Sequence, residues 1–246
     1  MTLAPQGHET APKEARRASV RDMFTAIAPR YDLLNHLLSF NLDRRWRRRA
    51  VSRLDHLRAP AGRYLDLCAG TLDLAIELSR RRGFTGYVVG ADFVVPMLRL
   101  GRGKAAGVET VGADALELPF AAETFDGLVI GFGVRNLADP AAGLREMRRV
   151  LRPGGKLVIL EFATPATWPV RPLYLWYFRR VLPWIGRLIS RHRDAYSYLP
   201  SSVIDFPRPE EFRELVERAG FVNVEYESLT LGIAGVYAGR KGPAAR

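Results

Sequence analysis

A short loop of small residues and two acidic residues each follow an apolar segment of this chain. The loop Ala69-Gly70-Thr71 comes directly after the segment 64–67. Asp92 ends a second apolar segment, and Asp114-Ala115 follows a third. Small residues let the backbone approach a ligand, and an acid at the end of a second strand can accept both hydroxyls of a ribose. The spacing therefore predicts a nucleoside bound across the carboxyl ends of parallel strands.

The loop lacks the three glycines of a pyrophosphate-binding loop. Gly70-Thr71-Leu72 contains one glycine, which disfavours a dinucleotide and favours a nucleoside without phosphate, such as S-adenosylmethionine. Asp114 is then expected near the adenine. Asp66, on the strand before the loop, is assigned to the same site. The alternative is that the loop is only a tight turn and that Asp66 caps the next helix.

Length and composition limit the classes of protein that fit. A chain of 246 residues, 48% of them hydrophobic, suits one α/β domain with additions. No apolar run approaches the ~18 residues of a membrane span, and residues 1–18 are predicted to be a disordered tail. The single cysteine, Cys68, indicates a reducing compartment, and we favour a buried thiol over a nucleophile. The four histidines show no ligand spacing, so no metal is predicted.

Positive charge lies mainly outside the predicted nucleoside site. Residues 1–60 hold 12 Lys or Arg against 6 Asp or Glu, and residues 165–205 hold 6 against 2. The whole chain carries +11, so the core is nearly neutral. Basic segments attract nucleic acid or anionic lipid surfaces. A solvated helix face explains the same charge about as well.

Strand and helix patterns alternate after an N-terminal helical cap at 19–60. This alternation predicts a parallel, doubly wound sheet. A short connection between the last two strands predicts an antiparallel pair at the edge of the sheet. The predicted strands are 63–67, 86–91, 108–112, 125–131, 156–162, 222–228 and 232–239, and the predicted helices are 71–82, 95–105, 140–150 and 209–219.

Residues 165–205 interrupt the alternation. Six of the 17 residues at 168–184 are aromatic, and the run 173–182 is too apolar for a surface helix. It could be a buried core helix. Its position at the carboxyl edge of the sheet favours a lid over a large apolar ligand, with Arg179 and Arg180 pointing outward.

Five segments of the chain together match the signatures of one family, and these are 24–46, 130–136, 149–161, 195–200 and 229–233. From about residue 20 to 241, the chain resembles the ubiquinone/menaquinone-biosynthesis C-methyltransferase family. The resemblance implies a single domain at 19–241 with the seven-stranded, Rossmann-like sheet of class I S-adenosylmethionine-dependent methyltransferases, a helical cap and a lid insertion. It implies transfer of a methyl group to a ring carbon of a prenylated quinol. Demethylmenaquinol is favoured over a benzoquinol or another phenol.

The resemblance also implies site residues. Arg135 matches the position proposed to assist catalysis, and Asn136 is its neighbour. Because arginine stays protonated, we expect Arg135 to hold a phenolate or orient a water base. From their place on the N-terminal helices, we expect Tyr31 and Asn35 to close over the substrate, although packing between helices would explain both residues about as well. His36 is a weaker candidate base. The cofactor contacts implied by position are Thr71, Asp92, Asp114, Ala115 and Gly131.

Three residues depart from the family's pattern. Leu72 stands where a small residue is usual, which leaves the affinity and pose of the cofactor open. Leu34 and Asp43 replace a Met and a His in the first signature. Asp43 argues against a base at that position.

Two other classes of function fit the sequence less well. A nucleic-acid methyltransferase would show an Asn/Asp-Pro-Pro-aromatic turn or a suitably placed nucleophilic cysteine, where this chain has Gly131-Phe132-Gly133-Val134. A non-catalytic nucleoside-binding protein finds support only in Leu72. We therefore expect no nucleic-acid partner. We expect a cytoplasmic protein that contacts an anionic membrane surface peripherally, and a homo-oligomer is one arrangement left open.

Overall fold

The computed structural model describes residues 13–105, 107–181 and 193–242, and its centre is a seven-stranded sheet. Across the sheet the strands lie in the order β3-β2-β1-β4-β5-β7-β6. The first five are parallel, while β7 is antiparallel to both β5 and β6. The predicted parallel sheet and antiparallel pair are therefore confirmed. The strands are β1 (Arg63–Leu67), β2 (Tyr87–Asp92), β3 (Val108–Gly112), β4 (Phe125–Gly131), β5 (Leu151–Phe162), β6 (Phe221–Leu229) and β7 (Ala234–Lys241).

Strand β5 is longer than predicted. We expected it at 156–162, but it begins at Leu151. Phe125 pairs with Leu151 and Gly127 with Lys156, so residues 152–155 form a bulge between the two pairs. Within this bulge the backbone angle φ at residue 154 is +75°, which its glycine adopts without steric cost. Residues 152–155, which precede the predicted strand, are thus an irregular part of the observed one.

Helices cover both faces of the sheet and its carboxyl edge. Within the described ranges, none of them is both long enough and apolar enough to cross a membrane. The helices are α1 (Lys13–Ile27), α2 (Tyr31–Leu38), α3 (Leu42–Ser52), α4 (Asp73–Ser79), α5 (Val95–Arg102), α6 (Pro140–Val150), α7 (Val170–Trp176), α8 (Arg193–Ile204) and α9 (Pro209–Arg218).

The N-terminal helix is longer than we predicted. It begins at Lys13, so the prediction of a disordered tail over 1–18 is wrong for residues 13–18. Arg17 pairs with Asp114, just beyond the end of β3, and this contact ties the early turns of α1 to the sheet. Residues 1–12, the rest of the predicted tail, lie outside the described residues.

The cap has two roles in the packing. Helix α3 covers one face of the sheet, where Trp46 and Val51 are buried against Val129 and Val158 of β4 and β5. Helices α6 and α9 cover the opposite face. Helices α1 and α2 instead extend over the carboxyl edge of the sheet.

The lid packs directly on the cap. It contains α7, a π-helical turn (Tyr177–Val181) and α8, while residues 182–192 lie outside the described residues. Tyr174, Phe178 and Val203 of the lid are buried together with Leu34 of α2. Cap and lid therefore form one apolar layer beside the end of β5.

Candidate active site

A first cavity, here called the sheet-edge cavity, lies where β1, β2 and β4 end. Asp92 accepts hydrogen bonds from the backbone N–H of Gly70 at 2.8 Å and of Val94 at 2.7 Å. Burial raises the pKa of Asp92 to about 6, although these N–H groups act in the opposite direction. The carboxylate thus organises the loop around the cavity. Its lining includes Phe24, Tyr31, Cys68, Gly70, Asp92, Met97, Gly131, Phe132 and Asn136.

Two of the glycines on this wall, Gly70 and Gly131, have different reasons to be glycine. Gly70 has a φ of +52°, which side-chain-bearing residues rarely adopt. At Gly131, an added Cβ would approach the Leu74 side chain to 2.7 Å, so close packing explains that residue. Cys68 also lines the cavity and is half-buried, whereas we predicted a buried thiol. Desolvation raises the pKa of this thiol, which disfavours the nucleophilic thiolate.

Four residues predicted to bind the cofactor do not line this cavity. Asp66 is buried and accepts a hydrogen bond from the N–H of Ala75 at 2.9 Å, which is the helix-capping arrangement left open above. Burial raises its pKa to about 8. Thr71 is buried and donates its hydroxyl to Asp32 at 2.5 Å. The local sequence did not show that these side chains turn toward helices.

The other two lie beyond β3. Asp114 pairs with Arg17 and accepts the N–H of Leu116 at 2.9 Å, while Ala115 is buried in the core. The structure therefore brings Gly70, Asp92 and Gly131 together and leaves these four off the cavity wall.

Leu72, the departure that left the cofactor's pose open, turns away from the cavity. Its side chain is fully buried between β2 and α5. A Cβ at Gly90 would lie 2.3 Å from Leu72 Cδ2, and one at Gly101 would lie 2.7 Å from Leu72 Cγ. Two glycines thus make the space that the leucine fills, and it does not line the sheet-edge cavity.

A second cavity, the cap cavity, lies between α1, α2, α3 and the ends of β4 and β5. Tyr31, Phe24 and Phe132 line both cavities, so these rings lie where the two cavities adjoin. The apolar part of the wall includes Met23, Ile27, Leu34, Leu38, Phe162 and Leu199, and the polar part is Asn35, Ser39, Asp43, Arg47, Arg135 and Tyr198.

Tyr31 lies at the junction of the two cavities. Burial raises the pKa of its hydroxyl, while Asn35 and the charges of Arg47 and Arg135 act to lower it. The hydroxyl is therefore protonated at neutral pH and lies close enough to both arginines to be influenced by them. The two predicted substrate residues, Tyr31 and Asn35, are thus brought together at the cap cavity.

Arg135 is buried in a short 3-10 turn (Val134–Asn136) after β4. Its Nη1 donates to Glu161 Oε1 at 2.7 Å and to the Phe132 carbonyl. Its guanidinium carbon lies 5.3 Å from the centre of the Phe162 ring. Its Nε is buried and has no hydrogen-bond partner among the described residues. A buried, unused donor on a cavity wall indicates a ligand atom that accepts a hydrogen bond there.

Asn136 connects the same turn to the lid. Its side-chain nitrogen donates to the Phe132 carbonyl at 3.2 Å, and its oxygen accepts the Tyr198 hydroxyl of α8 at 3.0 Å. Asn136 lines the sheet-edge cavity, whereas Arg135 lines the cap cavity.

The sequence interpretation missed the polar cluster on α2 and α3. Asp43 is buried, accepts the Ser39 hydroxyl at 2.8 Å, contacts His36 Nδ1 at 2.8 Å and pairs with Arg47. Burial favours a raised pKa for Asp43, but Arg47, Ser39 and His36 outweigh it and lower the pKa. Asp43 is therefore ionised and weakly basic. The sequence did contain one signal of this cluster, because Asp43 and Arg47 are four residues apart and therefore lie on one face of a helix.

The described residues contain no group of three or more His, Cys, Asp or Glu side chains that could hold a metal ion.

Comparison with known proteins places the chain in a family. Residues 10–241 match the model of the ubiE/COQ5 methyltransferase family. The chain belongs to this family. A ubiquinone/menaquinone biosynthesis C-methyltransferase UbiE of Geobacter sulfurreducens is 48% identical, covering 91% of this chain and 88% of the relative. Demethylmenaquinone methyltransferases of Thermus thermophilus and Deinococcus radiodurans are 51% and 45% identical, covering 88% and 93% of this chain and 99% and 95% of those relatives.

Solved structures share the fold at low sequence identity. A putative methyltransferase of Haloferax volcanii, in complex with the Trm112 activator, matches with a TM-score of 0.65 at 18% identity, over 92% of this chain and 99% of that one. An S-adenosylmethionine-dependent methyltransferase of Thermotoga maritima matches with a TM-score of 0.63 at 19% identity, over 89% and 98%. The predicted class I methyltransferase fold is confirmed.

Proposed function

We propose that the protein is an S-adenosylmethionine-dependent C-methyltransferase acting on a prenylated quinol, with demethylmenaquinol as the substrate. The observation that carries this proposal is the junction of two cavities at Tyr31, Phe24 and Phe132. Two ligands bound on either side would meet there. The relatives named demethylmenaquinone methyltransferase support the naphthoquinol branch.

The sheet-edge residues fit a nucleoside. Asp92 offers a carboxylate at the end of β2, beside the positive-φ backbone of Gly70. Such an acid can accept the hydroxyls of a ribose. S-adenosylmethionine supplies a methyl group made electrophilic by its sulfonium. Phe24, Tyr31 and Phe132 limit the access of water at the junction, so that the methyl group is protected from other nucleophiles.

The cap cavity fits a flat ring with a hydrocarbon tail. The Phe132 and Phe162 rings lie 4.4 Å apart between centroids and form an aromatic surface, with aliphatic side chains beyond them. A ring carbon becomes nucleophilic when the hydroxyl beside it loses its proton. Arg135 cannot accept that proton, which passes to water, but its unused Nε donor can stabilise the oxygen anion that forms. Glu161 keeps the guanidinium in place.

The test is incorporation of a labelled methyl group from S-adenosylmethionine into prenylated quinones. Purified protein is incubated with demethylnaphthoquinone or its benzoquinone counterpart, each in reduced and oxidised form. We expect product only from the reduced naphthoquinol. Product from the benzoquinol alone would overturn the choice of ring, and methylation at oxygen would overturn C-methylation.

We also propose that the protein takes its substrate from an anionic membrane surface through a peripheral contact on the cytoplasmic side. The turn after α2 meets the lid, since Phe40 lies 6.2 Å from the Tyr177 ring and Tyr177 donates to the Leu38 carbonyl at 3.0 Å. Large apolar side chains are exposed on both elements, and Arg171, Arg179 and Arg180 are exposed on the lid. The exposed apolar residues are Leu33, Leu37, Phe40, Trp168, Leu173 and Trp176.

Vesicle flotation tests the membrane contact. Replacing Arg179 and Arg180 with Glu should reduce binding to vesicles containing anionic lipid, because each surface cation contributes about 1 kcal/mol there. The matched control replaces Arg80 and Arg82 with Glu. These arginines follow the end of α4, which runs from the carboxyl edge toward the opposite edge of the sheet, and they therefore lie away from the lid. Equal flotation of both variants and the parent protein would contradict the proposal.

A further inference from the structure

Two arginines line the cap cavity from different elements, Arg47 on α3 and Arg135 after β4. Each lies against one ring of the same aromatic pair. The guanidinium carbon of Arg47 is 5.9 Å from the centre of the Phe132 ring, and that of Arg135 is 5.3 Å from the centre of the Phe162 ring. The two rings are tilted by 31° and lie 4.4 Å apart. Each ring of the pair thus has one cation against it.

Each arginine is anchored by one nitrogen to a buried acid. Arg47 uses Nη1 for its ion pairs with Asp43 and, at 3.4 Å, with Asp73. Arg135 uses Nη1 for its ion pair with Glu161. Asp43 is 2% exposed and Glu161 is 1% exposed. The Nε of Arg135 is buried and has no hydrogen-bond partner among the described residues. The ion pairs of Arg47 with described residues use Nη1, and a guanidinium has five N–H donors in all.

Asp43 is itself held in place. Its Oδ1 accepts the Ser39 hydroxyl at 2.8 Å, and its Oδ2 contacts His36 Nδ1 at 2.8 Å. These contacts fix the carboxylate that orients Arg47, much as the backbone of β5 fixes Glu161. A buried cation with an unused donor, such as Arg135, is costly in a structure that has nothing for it to bind. Two cations on the wall of one cavity therefore suit a ligand that carries two oxygens.

We propose that Arg47 and Arg135 form an arginine clamp that binds the two oxygens of the quinol ring. Arg135 binds the oxygen beside the reacting carbon, and Arg47 binds the oxygen across the ring. This inference rests on the proposed function. A ring held at one oxygen can still rotate about it, whereas a ring held at both presents one edge to Tyr31. Arg47 is thus a substrate-binding residue that orients the ring.

The experiment compares two ligands in the full-length protein. The first ligand is the reduced demethylnaphthoquinol. The second is an analogue that keeps the hydroxyl beside the reacting carbon and lacks only the hydroxyl on the opposite side of the ring. Dissociation constants are measured by calorimetry in the presence of S-adenosylhomocysteine, so that the result does not depend on turnover. Arg47→Gln should weaken binding of the quinol about tenfold or more, as for a lost hydrogen bond to a charged group. The same substitution should change the dissociation constant of the analogue by no more than about twofold, which is far below the loss expected for the quinol.

A purely structural role of Arg47 gives a different result. In that case Arg47→Gln weakens both ligands equally, and the clamp is wrong. Arg135→Gln should weaken both ligands, since both keep the hydroxyl beside the reacting carbon. If removal of Arg47 leaves Asp43 uncompensated and the variant unfolds, the double variant D43N/R47Q removes both charges and serves the same comparison. If the unmodified protein binds neither ligand, the proposed function itself fails.

Discussion

The two cavities of this protein are built in different ways. The sheet-edge cavity is formed largely by backbone at the ends of parallel strands, with Gly70 and Gly131 on its wall and Asp92 bonded to backbone N–H groups. The polar wall of the cap cavity is formed by side chains from helices and turns, and other side chains hold them in place, as Glu161 holds Arg135. Solved methyltransferase structures share the sheet at 18–19% identity. The comparison shows that the geometry of one cavity depends on the ends of the shared sheet, while the polar wall of the other depends on side chains that are held by other side chains.

The largest effect is expected on the acceptor side. Arg135→Gln should lower kcat by roughly 10² to 10³, as the loss of a donor to a developing oxygen anion commonly does. The dissociation constant for S-adenosylhomocysteine should stay the same, because Arg135 does not line the sheet-edge cavity. Single-turnover kinetics and calorimetry measure the two quantities. Equal losses in kcat and in the affinity for S-adenosylhomocysteine would show that the two cavities are not separate.

The matching change on the cofactor side is Asp92→Asn. It should weaken binding of S-adenosylhomocysteine by about 10- to 100-fold, in the range of hydrogen bonds to a charged group, and leave quinol binding unchanged. Calorimetry with each ligand alone separates these outcomes. The control is Asp126→Asn, at the start of β4, where the carboxylate pairs with Arg152. A larger loss of quinol binding than of nucleoside binding would reverse the assignment of the two cavities.

A pH titration sharpens the same assignment. The pKa of Asp92 is raised to about 6, so the carboxylate is ionised above that pH and protonated below it. If the ionised form accepts the ribose hydroxyls, affinity for S-adenosylhomocysteine should fall as the pH drops through about 6, by up to roughly tenfold per pH unit. The Asp92→Asn variant should show a flat profile between pH 5 and 8, where the carboxyl was the titrating group. A parent profile that is equally flat would mean that Asp92 does not bind the ligand as a carboxylate.

The smallest effect is expected for Thr71, which links the loop after β1 to helix α2 of the cap. Thr71 donates to Asp32 of α2 at 2.5 Å, and Lys104 of the segment after α5 contacts the same carboxylate at 2.5 Å. Thr71→Val should lower the free energy of unfolding by about 1 kcal/mol and leave nucleoside affinity unchanged. Thermal unfolding and calorimetry test this. Loss of nucleoside affinity with unchanged stability would instead support the sequence-based assignment of Thr71 to the cofactor.

Positions along the strands were predicted well, but directions of side chains were not. The bounds of β1, β3 and β4 agree with the sequence because apolar runs and turn residues are local signals. Asp66 and Asp92 both lie near strand ends, yet one caps α4 and the other faces the cavity. That difference depends on which helix packs against each strand. A local pattern cannot encode it.

The sequence by itself determined the order of strands and helices, the acid and glycines at the carboxyl edge, and the family. These features reside in periodicity and in short motifs. Only the tertiary structure decided that Arg47 and Arg135, far apart in the chain, share one aromatic surface, and that Leu72 fits between two glycines. Such contacts arise from the packing of α3 and α5 against the sheet. They join residues that no spacing along the chain relates.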